Sequence, residues 1–124
     1  MNRDRQLTEN FRLAEFACKH CGKAAIDLAF VNRLQEARDV SGVPIVIESG
    51  YRCPEHDKVV GGSGNHPTGK AADIRAEDSR SRYLLVKALL HVGFTRIGIG
   101  REFVHVDENP DGDPRVMWDY YDKG

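Results

Sequence analysis

The chain has 124 residues, with 18 Lys and Arg against 19 Asp and Glu, a formal net charge of −1, and 40% hydrophobic and 30% charged residues. That is enough chain for one hydrophobic core, and the composition excludes a disordered or fibrous protein. Interspersed charges near neutrality provide no electrostatic footprint for nucleic acid, and no apolar run approaches the roughly 18–20 residues of a membrane span.

The start, MNRDRQLTENFRLAEF, lacks the continuous apolar stretch and small-residue cleavage site of a secretory signal. Synthesis in the cytoplasm without a signal peptide is the expectation, and three cysteines, an odd number, fit a reducing compartment. Residues 1–9 read as a poorly ordered lead into a single domain spanning 1–124, expected to be a monomer. In LTENFRLAEFAC, Phe11, Leu13, Ala14 and Phe16 suggest a short helix with Thr8 or Asn10 as its cap. Asp27 is placed to cap a longer helix carrying Leu28, Val31, Leu34, Ala37 and Arg38, which Gly42 and Pro44 end.

PIVIES reads as a strand left by the turn GYRCPEH, and Gly61 to Gly69 is loop by composition. Ala71 to Arg75 is a buried strand; SRSRYLLVKALLHVG is a second helix capped near Ser79 and stopped by Gly93. Strand-like segments RIGIG, FVHVD and RVMWDYY complete the chain, the last after the turn ENPDGDP. Helices early and strands late predict an α+β fold, a small antiparallel or mixed sheet with helices packed on one side.

In GNHPTGKAADI, His66 and Asp73 are seven positions apart, and FVHVD adds His105. Strand alternation puts Phe103, His105 and Asp107 on one face, leaving Val104 and Val106 for the core. Two imidazoles and a carboxylate with an open fourth position form the ligand set of a catalytic zinc. On residues alone the bland alternative stays open: a solvated loop histidine and a turn aspartate.

The order SGYR (49–52), GG (61–62), H-x-x-G-x-A-x-D (66–73) and FVHVD (103–107) resembles the zinc D-Ala-D-Ala carboxypeptidase family, the M15 group of peptidoglycan peptidases. That group shares its fold with the Hedgehog signalling domain. The similarity runs from about Phe11 to Trp118, and is nearest to the short, single-domain branch common in bacteria and phage genomes. The resemblance implies one catalytic Zn2+ held by His66, Asp73 and His105, with a zinc-bound water attacking the scissile carbonyl of a peptidoglycan stem peptide. It makes Arg52 the contact to the substrate carbonyl or oxyanion, with Ser49 and Ser63 as further substrate-binding positions. Gly69 would allow tight passage between the first two ligands.

Many relatives carry an acid three positions before the last histidine ligand, which here is Glu102. In a regular strand 102 and 105 face opposite ways, so Glu102 as general base requires a bulge or strand end, which GIGRE permits. Asp107 is the rival base, or the acceptor of a ligand histidine's ring N–H. Relatives place serine two positions before the first histidine; this chain has Gly64 there, with Ser63 displaced by one, so D,D-carboxypeptidase and murein endopeptidase both stay open.

CKHC (18–21) and CPEH (53–56) provide Cys18, Cys21, Cys53 and His56, spacings that suit a closed structural zinc site. Packed thiols and a disulfide are the competing readings. His91 and His20 read as exposed, and Trp118, Tyr120 and Tyr121 as either core or cleft wall. The competing function is a non-catalytic zinc-containing module that binds cell wall or protein. Action on the cell wall without a signal peptide suits a phage or prophage enzyme released by a separate pore.

Overall fold

The computed structural model describes residues 5–121. Two helices, α1 (Leu28–Ser41) and α3 (Ser79–His91), pack on each other and on one face of a five-stranded sheet. The strands are β1 (Ile47–Ser49), β2 (Ala71–Arg75), β3 (Arg96–Ile99), β4 (Phe103–Asp107) and β5 (Val116–Asp119), in the order β1-β2-β4-β3-β5. Neighbours are antiparallel except β5, which runs parallel to β3, so the sheet is mixed and the fold is α+β. No helix among the described residues is long and apolar enough to cross a membrane.

Local chemistry explains where the helices start and stop. The Asp27 carboxylate accepts the Phe30 N–H at 2.9 Å at the head of α1, and Gly42 takes φ 70° at its end, a left-handed angle natural to glycine. Asp78, one residue before the expected cap, accepts from Ser81 N at 2.8 Å and starts α3. The expected helix near Phe11 is shorter than predicted, a single 3-10 turn over Leu13–Phe16, with Glu15 accepting the Arg12 N–H. Thr8 and Asn10 do not cap it; both bond the Gln35 side chain on α1, tying the N-terminal segment to that helix. Of the lead expected at 1–9, residues 1–4 lie outside the described residues.

The core lies between the helices and one sheet face: Phe30, Val31 and Leu34 from α1 and Leu85 and Leu89 from α3 meet Ile74, Val104 and Val106. Alternation along β2 and β4 sends the intervening residues to the opposite face. Their register is continuous, with Asp73 opposite His105 and Ala71 opposite Asp107. A short helix α2 (Pro54–Val59) follows the SGYR turn, where the sequence reading expected only a turn. It packs beside a 3-10 turn, His66–Thr68, in the loop before β2.

Candidate metal centre

Three elements deliver His66, Asp73 and His105 to one point on the open face of the sheet. Their donor atoms all lie within 4.8 Å of one another. His66 sits on the 3-10 turn, and its Nδ1 donates to the Gly50 carbonyl at 2.7 Å, which leaves the Nε2 lone pair available to a metal. Nε2 lies 3.5 Å from Asp73 Oδ1. His105 is tied the other way round: its Nε2 donates to Asp107 Oδ2 at 2.6 Å, and Nδ1 faces Asp73 Oδ1 at 2.9 Å. Each ring therefore has one nitrogen fixed by an outer acceptor and the other turned inward, the arrangement that orients metal-binding imidazoles. The donor set of two imidazoles and one carboxylate fits zinc in kind and number.

The electrostatics are those of a tightly coupled cluster. Burial works to lower the His105 pKa, but the accepting carboxylates of Asp107 and Asp73 outweigh it and raise it. Burial works to raise Asp73, and the two histidines overcome that and hold its carboxyl well below the usual range. Asp107 is fully buried and lowered for the same reason, with the Asn109 N–H and Arg96 adding to the His105 contact. Its Oδ1 accepts from Arg96 Nε at 2.6 Å and from Asn109 N at 3.0 Å.

A cleft of about 420 Å³ opens above this cluster, lined by His66, Asp73 and His105 with Arg52, Phe103 and Tyr120 around them. Residues 9–107 match the sequence pattern that defines the Peptidase M15 family. The chain belongs to that family. No curated protein matches the chain. Membership in M15 supports a metallopeptidase-like function for the cleft.

The M15 cleft positions Arg52 through two side chains. Nη1 donates to Asp57 at 2.7 Å and Nη2 to Ser49 at 3.2 Å, so the guanidinium is clamped at the cleft wall by α2 and β1. Asp57 is itself buried, and its other oxygen accepts the Gly64 N–H at 3.0 Å. Gly64, at the position where the family resemblance led one to expect serine, has φ 92°, a left-handed angle that a serine would adopt only with strain. Ser63 lines the cleft and accepts from Asn65 Nδ2 at 3.2 Å. Gly69 passes so close to the chain before α1 that an added Cβ would lie 2.4 Å from the Ala25 carbonyl oxygen.

The structure does not bring Glu102 to the M15 cleft. Register across β2 and β4 is regular from Phe103 to Asp107, with no bulge, so the Phe103 ring lines the cleft and Glu102 is exposed at the preceding turn. Asp107 is beside the cluster, but it has no exposed surface and both its oxygens are engaged. It meets His105 Nε2 from beneath the cleft, with Arg96 and Asn109 on its other oxygen.

Several contributors were not visible in the sequence. Asp57, Arg96 and the Gly50 carbonyl act only through partners that the fold supplies. Gly98 is opposite His105 in the sheet, and the absence of a side chain there admits Trp118, whose ring centroid is 5.6 Å from that of His105. Tyr120 becomes a cleft wall, its phenol pKa raised by burial and by the nearby carboxylates. Tyr121 lies outside, under Arg101. His91 and His20 are exposed.

The cysteines form a separate group. Cys18, Cys21 and Cys53 are all free thiols, with sulfurs within 4.8 Å of one another. His56 is not part of that group; it stacks on His20, whose Nδ1 is 3.5 Å from Cys53 Sγ.

Proposed function

We propose that the chain is a zinc-dependent peptidase that hydrolyses peptide bonds in peptidoglycan stem peptides. The observation carrying this reading is the inward orientation of His66 Nε2 and His105 Nδ1 around Asp73, at the floor of a cleft walled by Arg52. Zinc held by these three groups would supply Lewis acidity, lowering the pKa of a water towards ~7 and polarising a carbonyl. Asp107 and the Gly50 carbonyl keep the two rings in the tautomers the site needs. Arg52, clamped by Asp57 and Ser49, retains N–H donors for the scissile carbonyl oxygen as negative charge develops on it. Tyr120, which also lines the cleft, offers a phenolic O–H there.

Within that activity, cleavage inside the stem or crossbridge is favoured over removal of a terminal D-alanine. A C-terminal carboxylate needs a cation. Among the described cleft-lining residues Arg52 is the single Lys or Arg, and Asp57 already offsets its charge at 2.7 Å. The serine that relatives use nearby is Gly64 here. Mass spectrometry of muropeptides after digestion by the zinc-loaded chain tests this directly. Products cut at an internal bond are expected; release of free D-alanine alone would reverse the choice.

A second reading, a zinc-containing binding module, has its own support. Asp73 would be a ligand, Asp57 and Asp107 are paired, and Glu102 is outside the cleft, so among the described residues no carboxylate in the cleft is free to carry the proton. Cell-wall zymography separates the two. A folded, zinc-loaded sample that leaves the wall and its muropeptides unchanged would favour the binding module.

A further inference from the structure

We propose that Cys18, Cys21 and Cys53 form a second, closed zinc site, completed by an imidazole of the stacked His20–His56 pair, which clamps the N-terminal segment to the loop carrying Arg52. Three thiol sulfurs from two distant segments converge within 4.8 Å, although nothing in the core requires them to meet. Cys21 is exposed and Cys53 is half-buried, so the cluster is not a group of small residues packed for their volume.

The backbone around the first pair is shaped for a metal. Cys18-Lys19-His20-Cys21-Gly22 folds into a tight knuckle, with Gly22 at φ 79° and its N–H donating to the Cys18 carbonyl at 2.8 Å. The Cys53 N–H points at Cys18 Sγ at 3.3 Å, the kind of donor that stabilises a thiolate. Cys53 is the residue immediately before α2, and His56 lies one turn into that helix. His20 Nδ1 is 3.5 Å from Cys53 Sγ, and the two imidazole planes are inclined by only 8°. Three thiolates and one imidazole are a common tetrahedral zinc set.

The location gives the site a purpose. Tyr51 N–H donates to the Phe16 carbonyl at 2.9 Å, and Gly50 passes so close to Phe16 that an added Cβ would lie 2.6 Å from its Cα. Residues 50–53 therefore run against the N-terminal segment, and the same four residues supply the carbonyl that orients His66 and the guanidinium at the cleft wall. A metal joining Cys18 and Cys21 to Cys53 would hold both in place.

The test uses the full chain, purified under reducing conditions and loaded with zinc or with Co2+. Two metals per chain are expected. Cobalt should produce near-ultraviolet thiolate-to-metal charge transfer, which a site of histidine and aspartate cannot generate. That band should persist in His105→Ala, which removes a ligand of the other centre, and vanish in Cys21→Ser. Because Cys21 is exposed, circular dichroism should show Cys21→Ser folded. His20→Ala and His56→Ala identify the imidazole by which one weakens cobalt binding. Absence of the band in the native chain, with three reactive thiols, would overturn the site, as would a disulfide detected by intact mass. Undiminished cobalt binding in both histidine variants would remove the imidazole and overturn the four-ligand site. None of these outcomes bears on the His66, Asp73 and His105 centre.

Discussion

The Asp107 carboxylate accepts the His105 Nε2–H at 2.6 Å and thereby turns Nδ1 towards Asp73. Asp107 is in turn fixed by Arg96 and the Asn109 N–H, so the ring is oriented by a chain of contacts anchored in β3 and the turn after β4. Replacing Asp107 with Asn keeps the shape but exchanges a charged acceptor for a weaker neutral one. Asp107→Asn should lower zinc affinity by about 10–100-fold, measured by competition with a chelator, and excess zinc should restore most activity. Persistent loss at saturating zinc would mean that Asp107 also handles the proton.

Metal binding should be visible through Trp118, the single tryptophan of the chain, which lies against His105. Zinc titration of the stripped protein should change its fluorescence, and His105→Ala should abolish the change. Chelation should lower stability: a ligand at 100 times its Kd contributes about 2.7 kcal/mol, seen as a fall in Tm of several degrees. An unchanged Tm in chelator would argue against a bound metal in the folded chain.

Arg52→Lys retains the charge but loses the planar fork that reaches Asp57 and Ser49 together. Zinc content should be unchanged while kcat falls by about 10²–10³, the usual scale for loss of one oxyanion donor. A rise in KM with constant kcat would instead place Arg52 in ground-state binding.

Glu102 is exposed and outside the cleft lining, so Glu102→Gln should leave muropeptide cleavage close to that of the parent chain. A fall of about 100-fold or more, the scale of general acid–base catalysis, would show that the turn before β4 closes over the cleft during turnover.

Gly69→Ala confronts both a positive φ of 76° and the Ala25 carbonyl oxygen at 2.4 Å. The variant should lose more than about 1 kcal/mol, read from the urea midpoint. His66 and Asp73 flank this passage, so zinc affinity should fall with stability.

What could be read beforehand was whatever short-range physics dictates. Alternation in FVHVD put His105 and Asp107 opposite Val104 and Val106, and Asp27 and Gly42 bounded α1 as their chemistry requires. The six-residue α2 was missed because one turn and a half has almost no periodicity, although Pro54 at its first position was a signal. The parallel pairing of β5 with β3, the Arg52–Asp57 clamp and the approach of His20 to Cys53 depend on contacts between distant segments. Local pattern does not carry those. Family resemblance named an acid at position 102, yet that residue is exposed at the turn before β4 and does not line the cleft.

The register of β2 against β4 pairs Asp73 with His105 across a gap of 32 residues in sequence. A slip of one residue would send Asp73 into the hydrocarbon face and bring Ala72 or Ile74 beside His105. Misaligned sheets would therefore lack the cluster of His66, Asp73 and His105. Metal binding at those three residues would be a checksum on strand alignment, and following the Trp118 signal beside His105 during refolding would count correctly zipped molecules rather than merely collapsed ones.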